Sequence, residues 1–267
     1  MADFFAHTDL TQEKNKCIIK MVYFVFNNKI FGGVKMKIMS FNTQHCSNFY
    51  TGDFDYQLMA DTINKCKADI VGLNEMRGKG NAENNVSQAE VLADLTGLKH
   101  FYFAKAIDVN DEYPYGNALI SKYPIISAET IMIPDPVKKT GTGWYETRCL
   151  LKVKLENGIT VLVTHFGLNL DEQKNAVKTI LENSEDEKCI LMGDFNVTPD
   201  NEVLKPIYRK MKDAGEVIKG SMFTFPSDNP VEKIDYIFVS KDIELVDAQI
   251  PEVVASDHRP HTATINI

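Results

Sequence analysis

The chain has 267 residues, 44% hydrophobic and 25% charged, enough apolar material for one sizeable core or two small ones. Its net charge of −8 gives no global attraction to nucleic acid or anionic lipid, so such a ligand would need a local basic groove. The five cysteines (Cys17, Cys46, Cys66, Cys149, Cys189) are scattered, odd in number and without CxxC spacing, which argues against a disulfide framework or a zinc site and for free thiols in a reducing cytoplasm.

Residues 1–35 read as an N-terminal extension. The most apolar stretch there, "CIIKMVYFVF" (17–26), is far shorter than the roughly 18 residues a spanning helix needs, and Lys20 breaks it. No small-residue cleavage site follows it, though a poor signal or anchor segment is the competing reading. "MKIMSFN" (36–42) opens a single catalytic domain over 36–267 and predicts a strand ending at Asn42. "FDYQLMADTINKCKA" (54–68) predicts a helix, with Leu58, Met59, Ile63 and Cys66 on one face. "DIVGLNE" (69–75) predicts a strand that ends on Glu75, and "SQAEVLADLTG" (87–97) a helix stopped by Gly97. "NALISKYPI" (117–125) is strand-like. "RCLLKVKL" and "ITVLVTHF" flank Asn157-Gly158, a strong short-range hairpin signal. A helix over 171–183 and strands at 188–196, 233–240 and 261–267 complete the series. The hairpin does not suit pure βαβ winding; two packed mixed sheets with helices outside would accommodate it.

Polar residues recur at the ends of these apolar runs: Asn42, Glu75, His165, Asp194, Asn196, Asp235, Asp257 and His258. Any one of them alone reads as an ordinary turn residue. Gathered at one edge, they would form a cleft of carboxylates, amides and two histidines. Such hard oxygen donors suit Mg²⁺, with Mn²⁺ as a substitute, better than zinc. In "GDFN" (193–196), Asp194 and Asn196 stand two apart and so project from the same side of an extended chain. No HExxH, P-loop or G-x-S-x-G motif is present.

The ordered segments "SFN" (40–42), "NE" (74–75), "YGNALISKYPI" (115–125), "TH" (164–165), "GDFN" (193–196), "IDYIF" (234–238) and "SDHRP" (256–260) resemble the endonuclease/exonuclease/phosphatase superfamily, which includes pancreatic-type deoxyribonuclease, exonuclease III and neutral sphingomyelinases. The resemblance spans 36–267. It implies a four-layer α/β sandwich, two packed mixed β-sheets flanked by helices. It also implies a Mg²⁺-dependent phosphoesterase in which a positioned water attacks a phosphodiester in line, with a phosphomonoesterase as the alternative.

By the same resemblance, Glu75 would hold the metal, with Asn42 and Asp257 completing or supporting the site; one ion or two remains open. His258 and Asp235 would form a catalytic pair, with Asp194 the rival general base and Asn196 orienting Asp194 or the phosphate. His165 would stabilise phosphoryl charge or help the leaving group, Asn117 would hold the phosphate or its neighbours, and Arg148 would bind the phosphate. A surface ion pair with Glu146 is the competing role for Arg148. His45 is placed at the rim by its closeness to Asn42. The substrate could be nucleic acid, a nucleotide or a lipid headgroup. The loops 108–117, 134–148 and 220–230 would form the rim, and their mixed charge does not single out nucleic acid. A membrane partner is not expected, and a cytoplasmic monomer is. A fold-only binding module would lack one of Glu75, Asp194, Asp235 or His258, yet all four are present.

Overall fold

Two pairs of parallel strands organise the molecule, as seen in a computed structural model that describes residues 34–80 and 86–267. The apolar stretch 17–26 lies outside the described residues. β1 (Lys35–Asn42) pairs in parallel with β2 (Ile70–Arg77), and β7 (Thr160–His165) pairs in parallel with β8 (Cys189–Asp194). A parallel pair needs a crossover, and each has a helix. α1 (Tyr56–Cys66) joins β1 to β2, and α3 (Leu170–Asn183) joins β7 to β8. Both crossovers leave the strand carboxyl ends at the same edge of their sheet, where Asn42, Glu75, His165 and Asp194 stand.

The remaining strands are β3 (His100–Val109), β4 (Tyr113–Ser121), β5 (Ile125–Met132), β6 (Cys149–Leu155), β9 (Met211–Asp213), β10 (Asp235–Ser240), β11 (Glu244–Gln249) and β12 (His261–Asn266). Two further helices are α2 (Gln88–Thr96) and α4 (Lys205–Lys210). They build two six-stranded mixed sheets, ordered β11-β12-β1-β2-β4-β3 and β5-β6-β7-β8-β10-β9. This is the expected α/β sandwich of two mixed sheets flanked by helices. The segment 108–117, expected as a rim loop, is instead the tip of the β3–β4 hairpin. Asn110 and Asp111 take the left-handed conformations (φ 52° and 57°) that its tight turn requires.

Local chemistry explains the element ends. Asp55 caps α1 by accepting from the Leu58 N–H at 2.9 Å. Glu172, in the first turn of α3, accepts from the backbone N–H of Asn169 at 3.2 Å. Asn157-Gly158 forms the β6–β7 turn, with Gly158 at φ 86°. One apolar cluster joins Met39, Phe41, Leu73 and Met76 to α1 and α2. Another joins Leu162, Leu191, Phe195 and Phe238 to α3 and α4.

Between the sheets the contact is close. A Cβ on Gly72 would fall 2.5 Å from the Met192 sulfur. Asn74 bridges the sheets there: its Nδ2 donates to the Thr164 carbonyl (2.8 Å), and its Oδ1 accepts from the Asp194 N–H (3.0 Å). Among the described residues, no helix is long and apolar enough to cross a membrane. The four described cysteines, Cys46, Cys66, Cys149 and Cys189, are buried free thiols.

Candidate active site

The register of the central strands builds the site. Asp194 ends β8 beside His165 of β7 on one side and Asp235, the first residue of β10, on the other. Asn42 ends β1 beside Asn74 of β2. Three nitrogens approach Asp194 Oδ2: Asn42 Nδ2 at 3.1 Å, His165 Nε2 at 3.5 Å and His258 Nε2 at 3.6 Å. The first is a hydrogen bond, and the two imidazole contacts are too long to be good ones. They converge on a point without closing on each other, the geometry for a small group held between them. Asp194 Oδ1 is fixed separately by the Asn196 N–H at 2.9 Å.

Gly193 makes the exit from β8 feasible. Its φ is 146°, and a Cβ there would fall 1.8 Å from the Thr164 carbonyl oxygen. Asn196 follows in a left-handed conformation (φ 51°), and its Nδ2 donates to the Phe166 carbonyl at 3.0 Å. Its side chain therefore braces the turn, while its backbone holds Asp194.

Charge states follow from the partners. His258 Nδ1 lies 2.8 Å from Asp235 Oδ2, and a carboxylate can only accept, so Nδ1 carries the proton. Burial works against the His258 charge, but Asp235 and then Asp194 outweigh it and raise its pKa to about 10. His165 differs: its Nδ1 faces Arg148 Nη1 at 3.2 Å, and a guanidinium only donates. The His165 proton therefore sits on Nε2, toward Asp194. Burial first, and the Arg148 cation second, hold that imidazole neutral, well below the usual histidine range. Burial also raises the Asp194 carboxyl above its ordinary value, against the pull of His258.

A second group of carboxylates lies at the strand edge. Asn42 Nδ2 donates to Glu75 Oε1 at 3.2 Å. A β-bulge after Leu73 puts Glu75 at φ 59° and re-aims its side chain. Burial raises the pKa of Asp257 and of Glu146, and the Glu75 charge adds to both. Ser256 Oγ donates to the Asn42 carbonyl at 2.8 Å and lies 3.0 Å from Asp257 Oδ1, tying that segment to β1. Hard oxygens that repel one another beside a half-exposed Glu75 fit a divalent cation. Separately, Asp194, Asp235 and His258 present potential ligand atoms within 4.8 Å of one another.

The other expected residues fall nearby with their bonds engaged. Asn117 is buried; it accepts from Asn74 Nδ2 at 2.7 Å and donates to the Cys149 carbonyl at 2.9 Å. Arg148 forms the ion pair with Glu146 and also contacts His165. Sequence reasoning passed over Tyr115 and Thr224. The Tyr115 hydroxyl lies within electrostatic reach of Glu75 and Arg148. Thr224 Oγ1 accepts from the Ile234 and Asp235 N–H groups at 3.3 Å each. The position of Tyr115 in "YGNAL" was a usable signal; nothing local marks Thr224. Of the rim, Trp144 is 77% exposed, while Phe225 packs on His258 with ring centroids 4.9 Å apart.

The family model described as Endonuclease/Exonuclease/phosphatase family matches residues 39–258. The chain belongs to this family. Members of the endonuclease/exonuclease/phosphatase family are hydrolases of phosphoester bonds. Similar solved structures share the fold at low identity. An endonuclease/exonuclease/phosphatase from Bacteroides vulgatus is 22% identical, with TM-score 0.67 over 88% of this chain and 99% of that one. A mannosyl-6-phosphatase from Bacteroides thetaiotaomicron is 15% identical, with TM-score 0.69 over 87% and 100%. Sphingomyelinase C from Streptomyces griseocarneus is 16% identical, with TM-score 0.60 over 86% and 99%. No curated protein sequence matches the chain.

Proposed function

We propose that residues 36–267 form a Mg²⁺-dependent phosphodiesterase acting on a nucleic acid, nucleotide or lipid-headgroup diester. The observation that carries this reading is the convergence of Asn42, His165 and His258 on Asp194 Oδ2, next to the Glu75 carboxylate. Glu75, supported by Asn42 and Asp257, would hold the ion, which when bound neutralises charge on a phosphoryl oxygen.

The chain's own groups supply the rest. Asp194, its Oδ1 fixed by the Asn196 N–H, accepts a proton from the attacking water at Oδ2. The neutral imidazole of His165 donates Nε2–H to a non-bridging oxygen, and Arg148 holds that tautomer. Cationic His258, oriented by Asp235, gives its Nε2 proton to the departing oxygen. The protons balance: Asp194 gains one, and the leaving alcohol receives one from His258. The charge on His258 favours Asp194 over His258 as the base. Asn117 and Asn74 brace Asp194 and the strand ends from behind. Positioning and electrostatics lower the barrier.

Hydrolysis of bis-p-nitrophenyl phosphate in Mg²⁺ tests the reading, with His258→Ala and a chelator run beside it. Turnover abolished by both is the expected result. Hydrolysis of p-nitrophenyl phosphate with the diester inert would establish the monoester alternative, consistent with the mannosyl-6-phosphatase among the structural relatives. Inertness toward both model esters and toward natural diesters and monoesters would overturn the catalytic reading.

A further inference from the structure

The turn after Asn42 is built in an unusual way. Gln44, His45 and Cys46 are three successive non-glycine residues with left-handed backbones (φ 47°, 60° and 59°). L-residues resist this conformation, and it persists only where the surroundings over-determine it. They do so here. The Gln44 N–H donates to Asn42 Oδ1 at 3.1 Å, and the Cys46 carbonyl accepts from the Asp55 N–H at 2.8 Å. The His45 carbonyl accepts from buried Gln88 Nε2 at 2.6 Å, and the Ser47 N–H closes onto the Gln44 carbonyl at 2.9 Å.

What this strained turn presents is the His45 ring. Its Nδ1 lies 3.0 Å from the Glu75 carbonyl oxygen, which can only accept, so Nδ1 carries the proton. In the neutral ring the lone pair is then on Nε2. That atom stands 3.9 Å from Glu75 Oε2, beyond hydrogen-bond range. Glu75 Oε1 is occupied by the Asn42 amide, which leaves Oε2 as the oxygen facing the imidazole. Tyr115 steadies the ring edge-on, with centroids 5.3 Å apart. A histidine whose Nδ1–H is tied to a backbone carbonyl while Nε2 looks at a carboxylate is oriented as a metal ligand.

We propose that His45 Nε2 is a direct ligand of the cation held by Glu75, and that it tilts the site from Mg²⁺ toward first-row transition ions such as Mn²⁺. Two ligand atoms about 2.1 Å from one ion can bracket it across the observed gap after little movement. Both side chains are partly open to solvent, at 31% and 21%, so an ion can reach them. Mg²⁺ strongly prefers oxygen, whereas an imidazole nitrogen adds affinity for transition ions. The assignment rests on the reading of Glu75 as a metal ligand.

The test uses Mn²⁺ as the probe. Electron spin-echo modulation reads ¹⁴N nuclei bound to Mn²⁺, and calorimetry reads Mn²⁺ and Mg²⁺ affinities of the full chain. His45→Asn suits the left-handed backbone, since Asn tolerates that conformation, and circular dichroism confirms its fold. Expected for His45→Asn are loss of one ¹⁴N coupling and a Mn²⁺-to-Mg²⁺ affinity ratio lowered on the order of tenfold. Glu75→Gln should weaken both ions together. If His45→Asn keeps the wild-type modulation and ratio while Glu75→Gln loses the ions, the His45 assignment is wrong and the Glu75 reading stands. If the wild-type chain binds neither ion, both fail.

Discussion

At the scale of single residues, two histidines of one site hold opposite charge states because their partners differ. Arg148 can only donate to His165, and Asp235 can only accept from His258. On the proposed function His165 then serves as the neutral donor and His258 as the acid. Asp235 is fully buried, so its replacement by Asn keeps the shape and removes the charge that sustains the imidazolium. The His258 pKa, held near 10 by its acidic partners, should then fall toward the ordinary histidine value. A raised pKa keeps the acid form present as pH rises, and Asp235→Asn withdraws that protection. The alkaline limb of kcat/KM should move to lower pH, with kcat at neutral pH down about 10²–10⁴-fold. Rate profiles between pH 6 and 10 check this. A limb that stays in place while kcat falls would mean that Asp235 acts through something other than the His258 charge.

At the scale of elements, the strands legible in the sequence are those of the sheet interiors, and the illegible ones lie at the edges. β3, β5, β9 and β11 are the outermost strands of the two sheets, and none was anticipated as a full strand. An edge strand is covered less completely, so its apolar pattern is diluted: β5 is mostly exposed or half-exposed, and β3 carries exposed Lys105 and Asp108. The central strands carry nearly unbroken apolar runs, and polar residues at or near their carboxyl ends mark the candidate site; β2 runs past Glu75 to Arg77, not ending on Glu75 as the sequence suggests. That is why Asn42, Glu75, His165 and Asp194 were readable. The geometry of His45 was not, because it depends on three left-handed residues with no glycine to announce them. For Gly193 the prediction is steric. Gly193→Ala would drive a Cβ into the Thr164 carbonyl across the β7–β8 pair. The expected loss is on the order of 3 kcal/mol or more in urea unfolding. An unchanged midpoint would mean that β8 can slide without cost, contrary to its register.

At the scale of the whole molecule, stability against pH sums groups whose proton affinity changes on folding. His261 is fully buried, its Nδ1 3.4 Å from the Asp235 carbonyl oxygen. Burial, helped by the Lys233 charge, lowers its pKa from 6.5 to about 4. The sign is set by which state binds the proton. Above pH 6.5 neither state does, and the group is neutral in effect. Between 6.5 and 4 the unfolded chain takes the proton and the folded chain refuses it, so folding weakens as pH falls. One pKa unit is worth about 1.4 kcal/mol, so this residue can remove on the order of 3 kcal/mol across that window. His165, also buried and lowered, acts in the same direction. His258 acts in the opposite one: its raised pKa stabilises the fold below pH 6.5, and that contribution fades as pH climbs toward 10. In metal-free protein His261 and His165 therefore weaken the fold on the acid side and His258 on the alkaline side, while the raised carboxyls of Asp194, Asp257 and Glu146 oppose the acid-side loss. His261→Asn should soften the acid limb and leave the alkaline limb in place. Urea midpoints at pH 7, 5 and 9 separate the two. An equal drop from pH 7 to 5 in wild type and variant would assign the acid limb to other groups and remove His261 from the account.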